Sequence, residues 1–148
     1  MQVLASHAIV QPWRVSANVN WYQNDIDPFS TMLFFPTSRP FALAGSSDDT
    51  WAVTINNRFT LPRAIELQAN YVYYAEKNIP QGRELPRSSV DLAAKWPILN
   101  QRAELQFTFT DLFNDFAIQQ EITGQGFTAL YQNFMETQVA TVALRFRF

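Results

Sequence analysis

The chain has 148 residues, of which 47% are hydrophobic, 15% aromatic and 16% charged, with a formal net charge of -2 and no cysteine. Without cysteine neither a disulfide framework nor a thiolate metal site can form. Charges interspersed along the sequence leave no basic stripe of the sort that tracks a phosphate backbone, so nucleic acid is not an expected partner. No run of about 18 apolar residues exists, which excludes a transmembrane helix but not membrane strands, because these alternate. The segment Met1 to His7 has no basic leader region and no apolar signal core. The expectation is an internal or truncated start, with a leader upstream.

Six strands follow in chain order. From Trp13 to Tyr22 every second residue is apolar (Trp13, Val15, Ala17, Val19, Trp21) and the alternate positions are mostly polar. This is the period of a strand. The pattern returns at Trp51, Val53, Ile55 and Phe59, with Asn57 breaking the apolar row, and again from Ile65 to Ala75. A fourth row is Val90, Leu92, Ala94 and Trp96; a fifth is Ala103, Leu105, Phe107 and Phe109; the last is Ala140, Val142, Leu144, Phe146 and Phe148. No helical period competes.

The connections alternate between long and short. Gln23 to Asp49 is a long loop, Leu61 to Arg63 a tight turn, Lys77 to Pro86 a middling loop, Pro97 to Gln101 a tight turn and Leu112 to Met135 a long loop. Short periplasmic turns and long extracellular loops are the asymmetry of outer-membrane barrels. Aromatic residues gather at the two strand ends: Trp13, Phe59, Trp96, Phe146 and Phe148 by the short turns, Trp21, Trp51, Tyr73 and Phe109 by the long loops. Rings of this kind prefer the headgroup level of a bilayer. A soluble antiparallel barrel or sandwich shares the alternation. The wet character of the second face, the end-loaded aromatics and the loop asymmetry favour the membrane. The predicted fold is therefore all-β: residues 1–148 form an antiparallel up-and-down transmembrane barrel segment of about six strands. About eight strands make the smallest closed barrel, so further strands are expected upstream, with assembly of several copies as the alternative.

The last strand, Thr141 to Phe148, resembles the carboxy-terminal assembly signal of outer-membrane proteins, carried by Thr141, Phe146 and Phe148, with Ala143 where glycine is usual. The strand Glu104 to Asn114 resembles the penultimate strand of TonB-dependent receptors, which runs into Asp111, Leu112, Phe113 and Asn114. As ordinary residues, Asp and Asn end a ladder by bonding nearby backbone. The resemblance implies a 22-stranded outer-membrane barrel with an amino-terminal plug, importing a siderophore, cobalamin or glycan with energy relayed by TonB. The plug, the TonB contact and the upstream strands would lie outside this chain. Implied partners are outer-membrane lipid, the barrel assembly machinery, TonB through the plug alone, and the small ligand. A structural or adhesive barrel without transport, and a soluble ligand-binding β module, remain the alternatives.

Candidate chemistry is sparse, and neither enzymatic activity nor a cofactor is expected. His7, the single histidine, lies before the first of these strands and reads as a solvated terminal residue, so no triad or multi-histidine metal site is available. Asp25, Asp27, Asp48 and Asp49 share the first long loop, where clustered carboxylates suit a hard cation, although solvated turn carboxylates are favoured. Glu66, Glu104 and Asp91 share a face with Arg58, Lys95, Arg102, Arg145 and Arg147, which predicts ion pairing in a lumen. The first long loop is unusually apolar, with Phe29, Phe34, Phe35 and Phe41. These, with Tyr131 in the last long loop, are the candidates for ligand contact.

Overall fold

The computed structural model describes residues 1–10, 12–124 and 126–147. In chain order the strands are β1 (Gln2–Val10), β2 (Trp13–Ile26), β3 (Phe29–Leu33), β4 (Arg39–Leu43), β5 (Ser46–Leu61), β6 (Ile65–Tyr74) and β7 (Lys77–Ile79). They continue with β8 (Gly82–Glu84), β9 (Arg87–Ile98), β10 (Ala103–Thr110), β11 (Ile118–Gly124), β12 (Phe127–Asn133) and β13 (Val139–Phe146). Seven of them form one antiparallel sheet in the order β1-β2-β5-β6-β9-β10-β13. The six expected strands are all in it, as neighbours.

The register places the apolar rows side by side. Ala17 faces Ile55 and Val19 faces Val53; Ile55 faces Tyr71; Tyr71 faces Val90; Phe107 stands between Ala94 and Val142. The pairings from β2 to β13 thus keep one face largely apolar and the other largely polar, since facing residues share a face. Asn57, the break in the row, is accommodated by hydrogen bonds: Trp13 Nε1 donates to its Oδ1 at 3.3 Å and its Nδ2 donates to the Ala69 carbonyl at 3.5 Å. Its amide is thereby partnered on an otherwise apolar surface.

Two corrections to the sequence reading concern the amino terminus. Residues 2–10 are a strand, and His7 lies within it, opposite Val15 on the apolar face. The reason it escaped notice is that its alternation is broken on both faces. Leu4 falls opposite Asn18 on the polar side, and His7 falls among apolar neighbours. Pairing with β2, and not an amphipathic pattern of its own, defines β1. The long connections also hold more strand than expected. β2 and β5 run on together until Ile26 faces Ser46, and the remainder of that loop is the β3-β4 hairpin. Pro97 belongs to β9, facing Glu104, and not to a turn.

The apolar face has no covering layer within the chain. Among the described residues only Ala103 and Ala117 are buried apolar residues, while Trp21, Trp96 and Val142 remain 48%, 49% and 65% exposed. A soluble sandwich would bury this face against a second sheet. The second sheet of the chain, of order β12-β11-β8-β7, is tied instead to the polar face. There Asn24 and Asp48 bond the backbone of Asn78 at 2.9 Å each, and the Thr50 hydroxyl donates to the Glu76 carbonyl. The aromatics lie in pairs at the two ends of the apolar face. Trp13 stacks on Phe59 at 5.3 Å, and Trp51 meets Tyr73 at 4.9 Å. Trp51 and Phe59 are eight residues apart, or about 26 Å along a strand, which at a tilt of roughly 40° is about 20 Å of depth. That places the ring pairs near the two edges of an apolar band about 25 Å thick.

In lipid vesicles Val142→Arg is expected to cost about 2–4 kcal/mol, and Thr141→Arg, on the polar face opposite Thr108, close to nothing. Equilibrium unfolding of the two variants measures this, and equal costs would reverse the assignment of faces.

Candidate functional site

The built cluster of polar side chains at the long-loop end centres on Asp111. The residue closes β10 at φ 49°, a left-handed conformation that Asp and Asn adopt more readily than other side chains. It is 1% exposed. Its Oδ1 accepts the Asp115 backbone N–H at 3.1 Å; its Oδ2 accepts the Phe116 N–H at 3.3 Å and the Thr137 hydroxyl at 2.5 Å. Its own N–H donates to Asp91 Oδ1 at 2.9 Å, and Ser89 donates to the same oxygen at 3.0 Å. One carboxylate therefore holds the outgoing limb of the excursion, at residues 115–116, to the returning limb at Thr137.

The neighbouring motif residues complete the knot. Leu112 N–H donates to the Val90 carbonyl at 2.8 Å, the Leu112 carbonyl accepts from Gln138 at 3.0 Å, and Asn114, at φ 56°, donates to the Asp111 carbonyl at 3.0 Å. Phe113 points outward and is 65% exposed. Beside the knot, the Arg87 guanidinium lies over the tilted pair of rings Tyr74 and Phe116, 4.9 and 5.4 Å from their centroids, and bonds Glu84. A cavity of about 410 Å³ opens here, lined by Val72, Tyr74, Asp91, Asp111, Phe116 and Thr137. Tyr74, Asp91 and Phe116 are thus gathered on the polar face. Thr137 and Phe116 were not singled out by the sequence: Thr137 stands twenty-six residues from Asp111, and Phe116, two residues beyond the motif, lies on no alternating row.

The four-stranded sheet grows from this knot. β11 pairs with β8, and Arg83 bonds Glu121 at 2.7 Å. Glu121, through the hydrogen bond first and its charge second, and Glu76 raise the Arg83 pKa above its ordinary value. Gly82, at φ 142°, lets β8 lie against β11, since a Cβ there would overlap the Glu121 carbonyl.

The candidate contact residues occupy two separate sheets. Phe29 faces Leu43 and Thr31 faces Phe41 in the β3-β4 hairpin; Phe34 and Phe35 lie in its tip, 81% and 87% exposed. Tyr131 lies in β12, half exposed, in the other small sheet. Asp25 bonds Ser47, and Asp48 bonds Asn24 and Asn78. Among the described residues no group of three or more acidic or histidine side chains is placed to hold a metal. Thr141 faces Thr108 on the polar side and Phe146 faces Ala103 on the apolar side, 52% exposed, while Phe148 lies outside the described residues. Of the expected lumen pairs, Arg58–Glu66 is formed, at 2.6 Å. Asp91 instead accepts from Ser89 and the Asp111 backbone.

Asp111→Ala removes the acceptor of three donors, each worth about 1–3 kcal/mol when left unpaired. Hydrogen exchange across residues 112–137 is expected to quicken by about tenfold or more, with the ladder between β9 and β10 unaffected. Asp111→Asn, which tolerates the same backbone conformation, is expected to fall between. Unchanged exchange in both variants would remove Asp111 from its anchoring role.

The chain was compared with known proteins. Residues 1–147 match the model of the family described as outer membrane protein beta-barrel family. Searches of curated proteins and of solved structures gave no match. The match spans nearly the whole sequence and agrees with the uncovered apolar face, the polar opposite face and the paired aromatics. It places the protein in the outer membrane, in contact with lipid, as a barrel protein. The chain belongs to the outer membrane protein beta-barrel family.

Proposed function

We propose that the chain is the carboxy-terminal wall of a TonB-dependent receptor, which takes up a scarce ligand of the siderophore, cobalamin or glycan class. The observation that carries this reading is the Asp111 knot. The four residues that resemble the receptor signature, Asp111 to Asn114, are the ones that fix the departure and return of the longest excursion. A transporter with an ordered outer surface needs such a fixed point; a plain structural wall does not. The exposed aromatics Phe29, Phe34 and Phe35, the partly buried Phe41 and the separate Tyr131 supply apolar surface for a ligand on that side. The plug and the contact with TonB belong to chain upstream. Thr141, Phe146 and Phe148 are the assembly signal read at the short-turn end.

Uptake tests the reading directly. Cells with and without this gene, in TonB-positive and TonB-null backgrounds, are to be grown on limiting ferric siderophores, cobalamin or glycans. Loss of the gene is expected to reduce growth on one ligand class when TonB is present and to change nothing when it is absent. A growth defect independent of TonB, or none on any ligand, would favour the structural barrel.

The assembly signal is tested separately. Phe146→Ser in the complete receptor is expected to lower the folded fraction, seen as heat-modifiable mobility in detergent gels, by several-fold. Ligand affinity per folded molecule is expected to be unchanged, because Phe146 lies at the opposite end of the strand from the outer loops. Normal assembly would reduce the terminal aromatics to an ordinary strand end.

A further inference from the structure

The net charge of -2 conceals a strong separation. Of the eleven basic residues, seven lie in the short-turn half of the main sheet and its turns: Arg14, Arg58, Lys95 and Arg145 on strands, Arg147 one residue beyond β13, and Arg63 and Arg102 in turns. Only two of the thirteen acidic residues, Glu66 and Glu104, accompany them. The other four cations and eleven carboxylates belong to the long-loop half.

The four strand cations stand on the polar face. Arg14 faces Arg58 across the β2-β5 pair, Lys95 faces Glu66, and Arg145 faces Glu104. Like charges directly opposite each other repel, and at this position nothing in the pairing relieves Arg14. Arg58, Glu66, Lys95, Glu104, Arg145 and Arg147 line a cavity of about 280 Å³. Among the described residues, the ion pairs there reduce to Arg58–Glu66 at 2.6 Å. Lys95 and Arg145 form none within 4.0 Å. In a barrel of this family the polar face looks into the lumen and lipid headgroups meet the other face. The charge therefore addresses something inside the barrel and not the membrane surface.

We propose that this belt is an anion site, holding a carboxylate or phosphate inside the lumen next to the short turns, with Lys95 and Arg145 as the principal ligands and Arg58 and Arg147 beside them in the same cavity. A charged donor bonds an oxyanion more strongly than a neutral one does, and convergence of several in one cavity adds to this. The two carboxylates of the belt limit its net charge and orient Arg58. The anion comes either from a dissolved solute or from an acidic side chain of polypeptide within the barrel. The site depends on the barrel and not on coupling to TonB.

The receptor purified from outer membranes in zwitterionic detergent tests both sources. Citrate and inorganic phosphate are titrated by calorimetry at low salt, and the same sample is treated with a carbodiimide, which joins a lysine amine to a carboxylate in contact with it. If the source is a solute, binding is saturable, weakens about tenfold in Lys95→Gln and in Arg145→Gln, survives in Arg145→Lys, and falls as salt rises from about 20 to about 200 mM. If the source is internal, free anions do not bind, and mass spectrometry finds Lys95 joined to a carboxylate other than Glu66 or Glu104. Arg63→Gln, in the turn at the same end, serves as the control and is expected to match the parent. Heat-modifiable mobility verifies that each variant is folded. Absence of both saturable binding and such a crosslink overturns the proposal, as does equal weakening in Arg63→Gln and Lys95→Gln.

Discussion

The backbone ladder is the constraint on which everything else rests. In hydrocarbon an unpaired N–H or C=O has no water to turn to, so a strand in the bilayer must be bonded to neighbours along its length. Because side chains alternate with period two, a slip of one residue would turn every Trp, Val and Leu of a strand into the lumen and every Arg and Asn into lipid. The pairings of the main sheet avoid this throughout the described residues. Their single irregularity lies between Ala8 and Val10, beside the short return into β2. The two aromatic pairs, Trp13 with Phe59 and Trp51 with Tyr73, reinforce the same register at both ends of one strand pair and the next.

Beyond the ladder the chain must be ordered by other means, and polar side chains supply them. Thr50 and Asp111 are the two fully buried polar residues among those described, and each fixes a segment that leaves the main sheet. Thr50 holds the Glu76 carbonyl at the root of β7. Asp111 joins the two limbs of the last excursion. A carboxylate accepting three hydrogen bonds suits this position better than an apolar contact would, because it specifies direction as well as proximity. The Arg87 cation over the paired rings of Tyr74 and Phe116 adds packing on the same side. The outer sheet is consequently an extension of the wall, bent towards the polar face.

How much of this was legible in the sequence depended on whether residues answer to lipid or to one another. The six amphipathic strands were visible because the bilayer imposes one rule on every second side chain. β1 was not, because Leu4 and His7 each sit on the face opposite to their kind and the strand is defined by its partner. The hairpin strands β3, β4, β7, β8, β11 and β12 lie beyond the apolar band, where no two-sided environment writes an alternating pattern. Asp111 and Asn114 were marked as strand-ending residues, and their left-handed backbone agrees with that. What the sequence did not reveal was the distance over which the carboxylate acts, since Thr137 lies twenty-six residues away.

The distribution of charge was misread for a related reason. Along the sequence basic and acidic residues alternate in small groups, and a chain that ran straight would present a mixed surface. An up-and-down sheet reverses direction at each turn, so that residues separated by one strand and one loop return to the same level. Arg58 and Glu66 flank one turn, Lys95 and Glu104 flank the next, and Arg14 and Arg145 come back to that level from near the two ends of the sequence. Folding therefore sorts by depth what the sequence interleaves. The outcome is a field along the polar wall, negative at the loops and positive at the turns, which acts on what lies close to it, since exposed charges are screened beyond about a Debye length. A net charge close to zero is compatible with such a field, since the two halves nearly cancel in the sum while standing a membrane's thickness apart.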